Sequence, residues 1–164
     1  MNLAASPPSL QDKIGQMLLI GFRGLEIKES DPIAQDLAAC NLGGVVLFDQ
    51  EMADTDLPHR NIQSPAQVAA LVQSLRRYAK TPPFIAIDQE GGRVNRLKPV
   101  YGFPPTLSHE ELGAMNDSAR TFAHAQGIAK TLAGAMRSAF ASSTRPSSRP
   151  CGATAAGAQW SRRT

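Results

Sequence analysis

Two carboxylates stand two positions apart where an apolar segment ends. Residues 84–93 read FIAIDQEGGR, so Asp88 and Glu90 follow four strand-forming residues. Residues two apart on a β-strand point to the same side and are separated by about 6.6 Å. That distance falls in the range of about 6.5–9.5 Å used by an acid and base that cleave a glycosidic bond with inversion. The spacing alone therefore indicates an acid/base pair, on the condition that the strand continues through Glu90.

The residues that follow the carboxylates suggest a second interpretation. Gly91 and Gly92 lack a β-carbon, so they allow a sharp turn and let a ligand approach the backbone closely. Arg93 and Arg96 supply hydrogen-bond donors for oxygen-rich ligands. The alternative is a surface turn whose carboxylates pair with these arginines. The motifs of a phosphate loop and of a dinucleotide-binding turn do not occur in the sequence, which counts against a nucleotide-binding protein.

The elements that must position these residues alternate between apolar strands and helices with one apolar face. The strands are continuous apolar runs, which favours a parallel sheet covered by helices. In such folds the active or binding site lies at the carboxyl ends of the strands, so we expect Asp88 to lie in the site. We predict that residues 84–87 form a buried parallel strand, which lies between the strands at 17–22 and 45–48 or beside the latter. A doubly wound sheet and a TIM-type barrel both fit this pattern. The predicted strands are 17–22, 45–48 and 84–87, the predicted helices are 9–15, 31–40, 64–80 and 117–136, and the predicted long loops are 49–63 and 91–116.

Charge and composition exclude several classes of protein. Residues 1–136 hold 12 Lys/Arg and 14 Asp/Glu, a mildly acidic balance without the basic footprint of a nucleic-acid-binding protein. The two cysteines and three histidines show no CxxC or HxxxH spacing, so we predict neither a disulfide framework nor a metal site. No apolar stretch approaches the roughly 20 residues of a membrane span. The first residues do not read as a signal peptide. We therefore expect a cytoplasmic protein.

Several segments, in order, resemble glycoside hydrolase family 3. The run IDQEGGRVNRL resembles the third-strand signature of its N-terminal domain, and IGQMLLIGFRG and LGGVVLFDQ resemble its first two strands. The segments IQSPAQVAALVQSLRRYAKTPPF and FAHAQGIAKTLAGAM resemble its helices. The resemblance covers about residues 10–136 and is greatest to bacterial β-N-acetylglucosaminidases of peptidoglycan recycling. It implies an α/β fold, the incomplete N-terminal part of a TIM-type (β/α) barrel.

This resemblance also implies a chemistry and a site. The reaction would be hydrolysis of terminal non-reducing β-N-acetylhexosamine by double displacement, with β-glucosides as the alternative substrate within the family. The partners would be small carbohydrates, namely N-acetylglucosaminides and muropeptide fragments, and the resemblance implies no cofactor or metal. Asp88 would bind sugar hydroxyls and Arg96 would contact the substrate, while Glu90 would be structural. The resemblance thus overrules the acid/base pair suggested by spacing.

The resemblance assigns no catalytic residue to this chain. The family's nucleophile and histidine acid lie later in the barrel, whereas no Asp or Glu follows Asp117 here. His59, His109 and His124 do not match the acid's motif, and we expect them to be solvent-facing or packed. The chain is therefore interpreted as an inactive part of a glycosidase, with an inactive sugar-binding or non-functional truncated product as the alternative.

The last 28 residues differ in composition from the rest of the chain. Residues 137–164 carry five arginines and no acid, with Ser, Ala, Thr and Pro between them and no periodicity. We predict two regions: residues 1–136, the N-terminal portion of the barrel, and residues 137–164, an unrelated disordered tail. Its composition and the end of the family resemblance favour translation in a shifted reading frame; a genuine basic tail is the alternative.

Overall fold

The computed structural model describes residues 7–50 and 59–137 of the 164-residue chain. Strands and helices alternate through most of it, as predicted. The helices are α1 (Leu10–Gln16), α2 (Pro32–Ala39), α3 (Pro65–Tyr78), α4 (His109–Met115) and α5 (Ser118–Arg137). The strands are β1 (Leu19–Gly21), β2 (Gly44–Leu47), β3 (Phe84–Ile87), β4 (Gln89–Gly91) and β5 (Val94–Asn95), and a 3₁₀ turn spans Pro99–Tyr101.

The first three strands form a parallel sheet in the order β1-β2-β3. Ile20 pairs with Val45, and Val45 with Ile85. The prediction that strand 84–87 is parallel and lies beside strand 45–48 is confirmed. The prediction that this strand is buried is wrong: Phe84 is 80% exposed, and Ile85, Ala86 and Ile87 are only half-buried. The reason is that β3 forms the edge of this sheet in the described part of the chain.

The hydrophobic core lies between the sheet and helices α2 and α3. Crossovers between adjacent parallel strands are almost always right-handed, which places successive helices on the same face of the sheet. Helix α2 accordingly packs against α3. The sheet contributes alternate positions to this core, with Val45 and Leu47 fully buried and Val46 only half-buried. Helix α3 contributes a stripe at helical spacing: Val68, Leu71, Val72 and Leu75.

The start of α3 shows how local sequence positions these elements. Ser64 is extended and its hydroxyl accepts a hydrogen bond from the N–H of Gln67 at 3.2 Å. Pro65 follows at the first helical position, where its missing N–H costs no hydrogen bond. The predicted start at residue 64 is therefore correct to one residue, because cap and proline act locally.

The predicted loop at 91–116 is wrong for part of its length. It contains β5, the 3₁₀ turn and α4. Ser108 and Glu111 form a capping box at the start of α4, in which the N–H and hydroxyl of Ser108 donate to the Glu111 carboxylate and lower its pKa. The S-x-x-E spacing of SHEE marks such a start in the sequence. In the predicted loop at 49–63, residues 51–58 lie outside the described residues.

Candidate functional site

The predicted binding residues Asp88 and Arg96 lie together at the carboxyl ends of the parallel strands. Asp88 directly follows β3, and its side chain is 53% exposed. Arg96 directly follows β5, and its Nη2 lies 3.8 Å from Asp88 Oδ2. The same guanidinium reaches Asp49, which lies two residues beyond the end of β2, with Nη1 3.3 Å from Asp49 Oδ1. Arg96 thus bridges the ends of two strands.

Asp88 and Glu90 do not share a strand. β3 ends at Ile87, and Glu90 belongs to β4, which pairs with β5 in a separate antiparallel sheet. The condition for the acid/base pair suggested by spacing is therefore not met. Glu90 is exposed to solvent in this β4–β5 hairpin.

Gln89 holds the hairpin that carries Arg96. Its side-chain oxygen accepts hydrogen bonds from the N–H groups of Arg96 and Leu97, at 3.1 and 2.9 Å. Its amide nitrogen donates to Asn95 Oδ1 at 2.7 Å, and Asn95 in turn donates to Thr106 Oγ1 at 3.0 Å. Because these bonds fix the backbone at Arg96, the guanidinium extends from a defined position.

The two glycines serve packing, in contrast to the expectation that they admit a ligand. Gly91 and Gly92 have φ angles of +84° and +58°, in the region that L side chains rarely adopt. A β-carbon on Gly91 would lie 2.0 Å from the carbonyl oxygen of Leu107. One on Gly92 would lie 2.9 Å from the β-carbon of Ser108. The segment that leads into α4 therefore occupies the space next to these glycines.

Asp49 is the site residue that sequence reasoning missed. Its side chain is almost completely buried, yet it carries two ion pairs, one to Arg96 and one to Lys98. The ammonium group of Lys98 contacts Asp49 Oδ2, and the guanidinium group of Arg96 contacts Asp49 Oδ1. Asp49 is the first residue of the predicted loop at 49–63. The usable signal was a carboxylate directly after the apolar run VVLF, at the functional edge of a parallel sheet.

Asn61 joins the carboxyl ends of β1 and β2. This fully buried side chain accepts a hydrogen bond from the N–H of Phe48 at 3.1 Å. It donates to the carbonyl oxygens of Phe22 and Gly24, at 3.3 and 3.1 Å. A buried amide with all these partners stabilises the arrangement, because polar groups cut off from water must be hydrogen-bonded. The floor of the site is thereby fixed across neighbouring strands.

Aromatic rings line the cationic side of the site. The centroid of the Phe48 ring lies 4.8 Å from the guanidinium of Arg60 and 5.6 Å from that of Arg96. Tyr101 is buried nearby; burial raises the pKa of its phenol, the charge of Asp49 raises that pKa further, and Lys98 opposes the shift. These contacts hold the cations at the strand ends.

The contacts that the three histidines make are with residues other than Asp88 and Arg96. The His59 ring meets that of Tyr101 edge-on, with centroids 5.4 Å apart. His109 is exposed at the start of α4. His124 Nε2 accepts a hydrogen bond from the N–H of Leu107 at 3.3 Å, which ties α5 to the segment before α4.

Two further observations concern metals and membranes. Within residues 7–50 and 59–137, no group of three or more His, Cys, Asp or Glu side chains is arranged to hold a metal ion. Among the helices of the same residues, none has the length and apolar character to cross a membrane.

Adjacent parallel strands, helical crossovers on one face and charged groups at the carboxyl strand ends are features of the α/β barrel class. Residues 9–141 match the family model for the glycosyl hydrolase family 3 N terminal domain, and the chain belongs to this family. A β-hexosaminidase of Xanthomonas campestris pv. campestris (strain B100) is 37% identical over 125 residues, which cover 71% of this chain and 33% of that protein. The chain therefore spans about a third of the length of the curated relatives it matches.

Solved structures of this family share the fold, and two of them illustrate the similarity. A glycoside hydrolase family 3 β-N-acetylglucosaminidase from Paenibacillus sp. str. FPU-7 superimposes with a TM-score of 0.67 at 32% identity, covering 79% of this chain and 23% of that one. A fungal multi-domain β-N-acetylglucosaminidase of the same family gives 0.63 at 35% identity, covering 76% and 14%. The predicted family is confirmed, and so is the predicted fold class, the α/β arrangement of the N-terminal part of a TIM-type barrel.

Proposed function

We propose that this chain forms the N-terminal part of the barrel of a β-N-acetylhexosaminidase and supplies part of its sugar site. The observation that carries the proposal is the position of Arg96, bridged to Asp88 at the carboxyl ends of β2 and β3. The reaction is hydrolysis of terminal non-reducing β-N-acetylhexosamine. The names of the relatives, β-hexosaminidase and β-N-acetylglucosaminidase, support this sugar class.

The chemistry of the two residues suits a neutral sugar. Asp88 presents a half-exposed carboxylate, which accepts hydrogen bonds from neighbouring hydroxyls. Arg96 presents donors in a planar fork beside it, for a ring hydroxyl or an acetamido oxygen. The pair supplies acceptors and donors on one surface without a net charge.

The proposal extends to a cytoplasmic role in peptidoglycan recycling, with muropeptide fragments as substrates. It is supported by the similarity of the IDQEGGRVNRL segment to that branch of the family. Turnover needs a nucleophile and an acid in addition to the binding residues Asp88 and Arg96. β-Glucosides are the alternative substrate within the family.

A second candidate function is binding without catalysis. It is favoured by the sequence after Asp117, which holds no carboxylate that could act as a nucleophile. On this alternative the strand ends bind N-acetylglucosamine and the 164-residue chain releases it unchanged.

Binding of methyl β-N-acetylglucosaminide to the 164-residue chain, followed by NMR titration, tests the sugar site directly. Asp88→Ala removes a charge-assisted acceptor and is expected to weaken binding by at least about tenfold, or ~1.4 kcal/mol. Glu90→Ala removes the same charge two residues away, on the exposed side of the hairpin, and is the matched control. Equal affinities for the unaltered chain and Asp88→Ala would reject the assignment.

The same substitution can be made in a full-length enzyme that contains this segment. There we expect kcat/KM for p-nitrophenyl β-N-acetylglucosaminide to fall by at least about tenfold for Asp88→Ala. An unchanged kcat/KM would show that Asp88 lies outside the substrate site.

A further inference from the structure

We propose that Asp49 is the positioning residue of this site, and that it adapts the site to neutral rather than anionic sugars. Its buried carboxylate holds the guanidinium of Arg96 and the ammonium of Lys98 at the end of β2. The part of this inference that concerns sugars rests on the proposed function.

The burial of Asp49 is the first argument. Its side chain is 1% exposed, whereas those of Arg96 and Lys98 are 27% and 31% exposed. A buried carboxylate is costly unless it is paired, so both cations are held to this oxygen pair. Asp88 is half-exposed and lies farther from the guanidinium, so water competes with its contact. Asp49 is therefore the fixed end of the bridge, and Asp88 is the end that a ligand can reach.

The rigid surroundings of Asp49 are the second argument. Its backbone carbonyl accepts a hydrogen bond from the N–H of Arg60 at 3.0 Å. The neighbouring Phe48 makes two hydrogen bonds with Asn61: its N–H donates to Asn61 Oδ1 at 3.1 Å, and its carbonyl accepts from the N–H of Asn61 at 2.9 Å. Arg96 is anchored independently through Gln89. Two fixed points, the hairpin backbone and the Asp49 carboxylate, leave the guanidinium little freedom. A donor held in place before binding loses less entropy when the ligand binds.

The balance of charge is the third argument. Asp49 and Asp88 together offset Arg96 and Lys98, so this group of four has no net charge at neutral pH. Without the Asp49 charge the group would carry a net positive charge close to solvent and would attract anions. We infer that Asp49 disfavours sugars with a carboxylate, such as uronates, relative to sugars with only hydroxyl and acetamido groups.

The first measurement follows the Arg96 side chain in the 164-residue chain and needs no ligand. Restricted rotation about the guanidinium Cζ–Nε bond separates its Nη signals in ¹⁵N NMR spectra, with Arg96→Lys used for assignment. We expect separate signals in the unaltered chain and averaged signals in Asp49→Asn. Asp36→Asn removes the same charge from the exposed face of α2 and should change nothing. Averaged signals in the unaltered chain would overturn the positioning role even if Asp49→Asn does not fold.

The second measurement compares two probes, methyl β-N-acetylglucosaminide and glucuronate, at low salt. Asp49→Asn should weaken binding of the neutral probe by about tenfold and shift the preference toward glucuronate by about fivefold. A residue that only stabilised the fold would lower both affinities together. Unchanged affinities for both probes would overturn the specificity role. If the unaltered chain binds neither sugar, the proposed sugar site and the specificity role fail, and the Arg96 signals still decide whether Asp49 positions that side chain.

Discussion

Two aspartates at the carboxyl ends of neighbouring strands show how the environment gives identical side chains different roles. Asp88 is half-exposed and Asp49 is almost fully buried, although both follow apolar strands. Arg96 connects them. The exposed carboxylate can exchange its partner for a ligand at little cost, because water already competes for it. The buried carboxylate cannot, so it defines where the cations lie.

The phenol of Tyr101, close to the charge of Asp49, is expected to make the free energy of unfolding depend on pH. Burial, and then the charge of Asp49, raises the pKa of its phenol above the usual value of 10.0. A pKa that is higher in the folded state favours the neutral phenol there. The resulting stabilisation is fully present below the unfolded pKa, and it is lost as pH rises through the folded pKa.

Urea unfolding between about pH 9 and pH 11 tests this sign. We expect the free energy of unfolding of the unaltered chain to fall more steeply with pH than that of Tyr101→Phe. Tyr78→Phe, at the end of α3, is the matched control and should retain the steep fall. Identical pH dependence in the unaltered chain and Tyr101→Phe would contradict the raised pKa.

At the scale of elements, the β4–β5 hairpin is the part that brings the site together. It follows β3 after a single residue and reverses the chain at Gly92 and Arg93. Gln89 binds the returning strand, and Arg96 then meets both aspartates. The hairpin packs against the segment before α4 through glycines, so the turn and the packing depend on the same two positions.

Substitution of Gly91 tests this packing. Gly91→Ala places a methyl group against the Leu107 carbonyl and strains the backbone at φ +84°, so we expect it to lower the free energy of unfolding by roughly 1–3 kcal/mol or more. Gly113→Ala is the matched control, because Gly113 lies within α4 and an added β-carbon there would meet no atom within 4 Å beyond its chain neighbours and the backbone of its own helix. This substitution should stabilise the chain by roughly 0.5–1 kcal/mol. Denaturant unfolding measures both variants. Equal stability of Gly91→Ala and the unaltered chain would show that the turn is not constrained.

At the scale of the whole molecule, the described sheet has apolar surface at both edges. Leu19 on β1 is 50% exposed, and Phe84 on β3 is 80% exposed. Unpaired strand edges and apolar patches of this kind are covered when a barrel closes. The described residues contain three parallel strands, whereas a closed TIM-type barrel has eight. This agrees with the finding that the chain matches about a third of the length of its curated relatives.

The 164-residue chain is expected to show no hydrolysis of p-nitrophenyl β-N-acetylglucosaminide. Retaining hydrolysis by two carboxylates needs a nucleophile and an acid about 5–5.5 Å apart across one bond. Asp49 is buried in ion pairs, Asp88 is assigned to binding, and no carboxylate follows Asp117. A chromogenic assay, with the full-length Xanthomonas β-hexosaminidase as the positive control, measures this. Turnover above that of an Asp88→Ala/Glu90→Ala double variant would contradict the assignment.

Local sequence was sufficient for much of the fold. The strand at 84–87 was predicted to the residue, and α3 within two residues at each end, because apolar runs, caps and prolines act over a few neighbours. The motif DQEGGRVNR indicated Asp88 and Arg96, and the structure places them together. The prediction for residues 137–164 concerns a segment almost wholly outside the described residues and stays a prediction.

Asp49 and the two glycines show what only the tertiary structure decided. Whether a carboxylate after a strand is solvated or buried depends on Arg96 and Lys98, which lie 47 and 49 positions later in the sequence. Likewise, Gly91 faces Leu107, and no local pattern distinguishes that neighbour from a ligand. Burial and ion pairing arise from contacts between distant segments, so their free energies exist only once the parallel strands and the hairpin have come together.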